Sequence, residues 1–185
     1  MGVSSSKVIA LLCDDCACSI YGARPPSAAY ADNVARLLFM TAAHESGGFR
    51  YRRQIGFARD SVTGAFGLWQ CEWPSIADSI RYIRNPQRAE LYGRCVTWLD
   101  GYDKHFPELA LHDVAQRGIL ATIQDVRGDP LSCLLARLHY LRVPEAVPAT
   151  PQDMALYAKA HYNTRLGKAT AADYLSAYER YCERY

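Results

Sequence analysis

Two neighbouring stretches of the chain hold the residue types that acid–base chemistry needs: His44-Glu45-Ser46-Gly47-Gly48-Phe49 and Ser61-Val62-Thr63-Gly64-Ala65-Phe66-Gly67-Leu68-Trp69-Gln70. At about 100° per residue, Glu45 falls within about 20° of Val34 and Leu38, on the apolar side of a helix that closes there. Desolvation on an apolar wall pushes a carboxyl towards its neutral form, the form a general acid must hold at neutral pH. The plainer reading is a glutamate that turns out to solvent as its helix ends. Gly64 and Gly67 allow a tight turn and close approach of the backbone to a ligand. Phe66 and Trp69 either offer flat faces on which sugar rings stack or pack in the core. Arg50, Arg52, Arg53 and Arg59 crowd the stretch after Glu45, and cations close to the carboxylate would weaken it as an acid. An acidic role for Glu45 therefore requires these arginines to point elsewhere, towards acidic groups of a ligand or into solvent.

Other chemistries find less support. His44-Glu45 opens a zincin-like pattern, but Gly48 stands where the second metal-binding histidine is required, so no metal is expected there. Cys71 would need His105, His112, His139 or His161 as a base, and is as readily a small core residue. Cys13, Cys16 and Cys18 cluster without a second pair of ligands at zinc spacing. The remaining cysteines, 71, 95, 133 and 182, are scattered, and an odd total of 7 favours reduced thiols. No cofactor is called for.

The elements that must position these residues read as helices. Ser27 is a candidate N-cap and Gly47-Gly48 a candidate terminator for a helix over 28–45. Asn85-Pro86 opens a segment towards Gly101, and Asp129-Pro130 opens one that must stop before Pro144, each with proline at the first helical position. Thr150-Pro151-Gln152-Asp153 and Thr170-Ala171-Ala172-Asp173 place a hydroxyl at the cap and a carboxylate three residues on, a variant of the capping box. A further helix is expected near 108–124, and the irregular stretch from Gly56 to Trp69 is a candidate short hairpin. Residues 1–26 show no sustained periodicity and end in Arg24-Pro25-Pro26, so they read as an N-terminal arm or attachment segment ahead of one domain over 27–185. The expected fold class is mainly α, with at most a short β-hairpin.

Composition bounds the partners. With 185 residues, 50% hydrophobic and 22% charged, the chain is one domain's worth of an ordinary folded protein. A formal charge of +2, from 21 basic and 19 acidic residues, is too even for a broad nucleic-acid footprint. No apolar run is long enough for a membrane span or an ordinary export signal. Met1 to Ser6 fits a myristoylation pattern, and Cys13 follows two leucines as a lipoprotein cysteine does; both patterns are too short to outweigh an unmodified segment.

Glu45-Ser46, then Ser61, Gly64-Ala65, Gly67-Leu68 and Gln70, resembles the signature of soluble lytic transglycosylases, the goose-type-lysozyme-like enzymes that cleave peptidoglycan. Downstream, His161-Tyr162-Asn163-Thr164 is similar to that family's Ala-Tyr-Asn motif, and the stretches 136–144 and 167–170 resemble phage and prophage versions. Together the resemblance covers roughly 40–175. It implies a lysozyme-like helical domain in which Glu45 is the catalytic acid, Gln70 lines the glycan groove and Tyr162 faces the glutamate. Ser61, Gly64, Ala65 and Gly67 would shape the groove, with Asn163 beside it. The implied reaction cuts the bond between N-acetylmuramic acid and N-acetylglucosamine with one carboxyl, giving a 1,6-anhydro product. A hydrolytic lysozyme would use a second carboxylate, for which Asp60 and Glu72 are the candidates. The implied setting is a phage particle acting on the host cell wall, with peptidoglycan strands as substrate and virion or tail proteins as partners of residues 1–26. The alternative is a virion module that keeps the fold for assembly or glycan binding without turnover.

Overall fold

The segment expected to be helical over 28–45 forms α2, Ala28–Glu45, and four of the other helices pack against it. Ser27 fixes its start by accepting a hydrogen bond from the Tyr30 amide at 3.2 Å. From Leu37 to Ala43 every residue of α2 is buried, the mark of a helix enclosed on all sides. The computed structural model describes residues 6–56, 63–102, 119–163 and 168–182. Within them the protein is mainly helical, with one antiparallel hairpin of two short strands, which agrees with the fold class read from the sequence.

Residues expected to form an arm instead form α1, Ser6–Ser19, and belong to the core. Ile9, Leu12, Cys13, Cys16 and Ile20 are all buried, a stripe at helical spacing that lies against α2. Each fully buried isoleucine or leucine contributes about 1.5–3 kcal/mol, so detaching this helix would be costly. Polar ties reinforce it. The Asp15 carboxylate accepts from Trp98 Nε1 at 2.8 Å and from the Tyr102 hydroxyl at 2.7 Å. Arg94 donates to the carbonyls of Tyr21 and Gly22, both at 2.7 Å, with its guanidinium over the Tyr21 ring.

The hairpin pairs β1 (Ala65–Phe66) with β2 (Cys71–Glu72), and a single bridge from Arg53 to Phe66 lays the preceding loop alongside. It begins inside the expected window of 56–69 and ends just beyond it. α3 (Trp73–Ile83) follows directly. Asn85-Pro86 opens a 3-10 turn, Pro86–Arg88, and the α-helix after it, α4, spans Ala89–Asp100. Of the helix expected near 108–124, residues 119–123 are described and helical and Gln124 turns out of it; residues 108–118 lie outside the described residues.

Gly128 caps α5 (Asp129–Leu141), so Asp129 is its first residue instead of its cap, and its carboxylate faces Arg52. α6 (Pro151–His161) and α7 (Ala171–Tyr181) begin at the predicted threonines. Thr150 accepts from the Asp153 amide, whereas Thr170 and Asp173 complete the reciprocal capping box. α1, α5, α6 and α7 all contact α2, and α3 and α4 pack on α5.

Candidate functional site

Glu45 is the last residue of α2, where the chain must leave the helix sharply. The Ser46 hydroxyl donates to the Ala42 carbonyl at 2.6 Å and accepts from the Phe49 amide at 2.7 Å. Gly47 and Gly48 take positive φ angles of 59° and 76°, and Phe49 follows at 65°, an unusual conformation for a bulky residue. Glycine is needed at 48 for a second reason: a Cβ there would collide with the Tyr181 hydroxyl. The result is a fixed turn that keeps the glutamate side chain against the body of the protein.

Its carboxyl is largely withdrawn from water, and burial raises its pKa above the ordinary value. Hydrogen bonds from Tyr174 and Asn163, and the charges of His44 and Lys159, oppose that rise without cancelling it. The Tyr174 hydroxyl, from α7, donates to Glu45 Oε1. The Tyr174 ring stacks on the imidazole of His44 with centroids 4.0 Å apart and is itself fully buried. Asn163 Oδ1 accepts from Lys159 Nζ at 3.0 Å, and Asn163 is among the groups that favour ionised Glu45.

The arginines after Glu45 are engaged elsewhere, as an acidic role requires. Arg52 forms a buried bidentate pair with Asp129 at 2.8 and 2.7 Å. Arg53 lies over the Phe66 ring and reaches Gln124, and Arg50 donates to the Gly47 carbonyl. Arg59 lies outside the described residues.

The second motif builds the floor of this region. Gly64 and Gly67 have φ of 96° and 74°, and Gln70 has φ of 46°. Gly67 approaches Ser132 of α5 so closely that a Cβ would overlap its hydroxyl, so the glycine serves helix–hairpin packing. Phe66 and Trp69 are fully buried, and Trp69 Nε1 donates to the Leu38 carbonyl at 2.8 Å. Of the two readings open for these rings, their burial supports core packing. Ala65 is buried in β1. Gln70 Nε2 and its own amide both donate to the Gly67 carbonyl, at 2.8 and 3.1 Å, which closes the turn. Ser61 and Asp60 lie outside the described residues. Glu72 is exposed at the start of α3.

Tyr162 occupies the site differently from the expectation. Its hydroxyl donates to the Trp69 carbonyl at 2.7 Å and sits 3.3 Å from Cys71 Sγ, so it braces the hairpin while Tyr174 meets the glutamate. Burial lifts the Cys71 thiol to about 12, which leaves it a poor nucleophile and fits the small core residue read as its alternative. His139 holds the motif from behind: Nε2 donates to the His161 carbonyl at 2.7 Å, which leaves Nδ1 to accept from Ser75 at 3.1 Å. Tyr174 and Lys159 were missed by the sequence reading. Tyr174, Tyr178 and Tyr181 recur at helical spacing on α7, a signal that this face meets α2, though not which hydroxyl reaches Glu45.

No family model, curated protein or solved structure matches this chain. Among the described residues no cluster of histidine, cysteine or acidic side chains is set to hold a metal, and no helix is long and apolar enough to cross a membrane.

Proposed function

We propose that this chain cleaves peptidoglycan glycan strands as a lytic-transglycosylase-like enzyme with Glu45 as its acid and base. The observation that carries this reading is the Glu45 carboxyl, held by burial towards its neutral form at the end of a buried helix. Around it stand the hairpin and the Tyr162-Asn163 pair, in the chain order of the family resemblance. Protonated Glu45 would give its proton to the glycosidic oxygen between N-acetylmuramic acid and N-acetylglucosamine. The resulting carboxylate would then take a proton from the muramoyl 6-hydroxyl as that oxygen attacks the anomeric carbon, closing a 1,6-anhydro ring. Phage delivery to the cell wall remains part of the proposal. Among the described residues, attachment to virion or tail proteins through 1–26 would draw on the outer face of α1, where Val8 and Leu11 are exposed.

One observation favours a second reading, a glycan-binding or assembly module without turnover. The Glu45 carboxyl already has Tyr174 and Asn163 as partners, and the hairpin aromatics are buried instead of presented to a sugar. Mass spectrometry of the soluble products from purified sacculi decides between them. Anhydro-muropeptides from the wild type and none from Glu45→Gln support the enzyme, and reducing ends would make it a hydrolytic lysozyme. Sacculus binding with no products from either folded protein would support the module.

A further inference from the structure

We propose that Tyr174, backed by Asn163 and Lys159, is the positioning group for the Glu45 carboxyl, and that Tyr162 is a structural brace; this rests on the reading of Glu45 as the acid. The two tyrosines differ in what their hydroxyls can do. Tyr162 donates its one proton to the Trp69 carbonyl at 2.7 Å and has Cys71 Sγ on its other side, so it has no donor left for the glutamate. Tyr174 donates directly to Glu45 Oε1. Its own position is over-determined. The Thr170–Asp173 capping box fixes the first turn of α7 immediately before it, the His44 ring stacks on it, and its side chain is fully buried.

The phenol selects one oxygen. A neutral carboxyl carries its proton on one oxygen and accepts best on the other, so a donor fixed on Oε1 assigns the transferable proton to Oε2. Asn163 adds a second orienting contact. Its Oδ1 is held by Lys159 Nζ at 3.0 Å, which leaves its amide nitrogen as the group that favours ionised Glu45. Lys159 and Asn163 are four residues apart at the end of α6, so the relay is anchored on a second helix while Tyr174 is anchored on α7. A carboxyl gripped from two helices keeps one orientation through a catalytic cycle, which is the condition for efficient proton transfer to a bound substrate.

The groups that face Glu45 set the sign of the test. His44 on α2, Lys159 on α6 and Tyr174 on α7 favour its ionised form, as does Asn163. Cys71 of β2, Tyr140 of α5 and Tyr162 lie close enough to feel its charge and are buried in their neutral forms. Removing the Tyr174 hydroxyl deletes a donor to the carboxylate, so Glu45 must then titrate at a higher pH.

The test compares Tyr174→Phe with Tyr162→Phe in the full chain, following the Glu45 carboxyl by carbon-detected NMR and muropeptide release from sacculi across pH. Tyr174→Phe is expected to raise the Glu45 titration midpoint and move the alkaline limb of the rate profile upwards. It should also lower kcat about ten- to a hundredfold with little change in KM. Tyr162→Phe is expected to lower the melting temperature and leave the Glu45 midpoint in place. The proposal is overturned if Tyr174→Phe leaves the midpoint unchanged, or if Tyr162→Phe raises it as much. Should the wild type release no muropeptides, the enzymatic reading fails while the two NMR titrations still decide which tyrosine positions the carboxyl.

Discussion

Asp129 is a buried acid and Glu45 a half-buried one beside the same hairpin, and their surroundings set them to different tasks. Asp129 opens α5 and meets Arg52 in a two-pronged ion pair at 2.8 and 2.7 Å, with both side chains only 6% exposed. Glu45 closes α2 and meets a phenol and an amide, with His44 and Lys159 acting on it through their charges and burial as the largest influence on its proton. A carboxylate matched by a guanidinium is a strut, ionised and fixed. One whose partners are mostly neutral is left free to gain and lose a proton. The chain separates the two roles by committing the Arg52 guanidinium to Asp129, so this cation does not quench the acid.

Breaking the strut should have the largest effect. Asp129→Ala takes the carboxylate away from the buried Arg52 guanidinium and is expected to cost about 3–5 kcal/mol, read from the midpoint of urea unfolding. Replacing both residues together, Arg52→Met with Asp129→Leu, should recover most of that loss. Full loss in the double variant would mean that the pair does more than neutralise itself.

A smaller loss, about 1–3 kcal/mol, is expected from Gly67→Ala, because the new Cβ meets Ser132 and the backbone sits at φ 74°. Adding Ser132→Gly should restore part of the stability, the remainder being the backbone strain. On the Glu45 side, Thr170→Ala removes the cap that sets Tyr174 and should cost about 1 kcal/mol by thermal unfolding.

Glu45→Gln should have the smallest effect on stability and the opposite sign. The folded state raises the pKa of Glu45 above its ordinary 4.5. The wild-type carboxyl therefore contributes most below that value, and the contribution is lost as pH rises through the raised one. The difference in melting temperature, variant minus wild type, should accordingly grow from acid to neutral pH. A constant difference across that window would place Glu45 among ordinary exposed carboxylates.

Much of this arrangement was legible in the residues and some was not. Caps announce themselves locally, so Ser27, Thr150 and Thr170 placed their helices correctly. The inward side of Glu45 followed from its angle to Val34 and Leu38 on a single helix, which needs no knowledge of the rest of the chain. The periodicity of α1 is hard to see in the residues because its buried stripe includes Cys13 and Cys16, which act as small apolar side chains, and because Arg24-Pro25-Pro26 cuts the segment off from α2. Asp129 looked like a cap since Asp-Pro often is one; its carboxylate instead belongs to a partner 77 positions away, a pairing no local pattern encodes. The same distance problem hid Tyr174, which lies 129 positions from Glu45. Tyr162 was the nearer guess by motif, and the Trp69 carbonyl was the competitor that claimed its hydroxyl.

The measurement that tests the central claim most directly is a carbon-detected NMR titration of the Glu45 side-chain carboxyl in the folded protein, with Glu45→Gln to assign the signal. The account predicts a single transition with a midpoint above 4.5, because burial outweighs the hydrogen bonds and charges around the carboxyl. A midpoint at or below 4.5 would contradict it and leave Glu45 as a second strut with no proton to give.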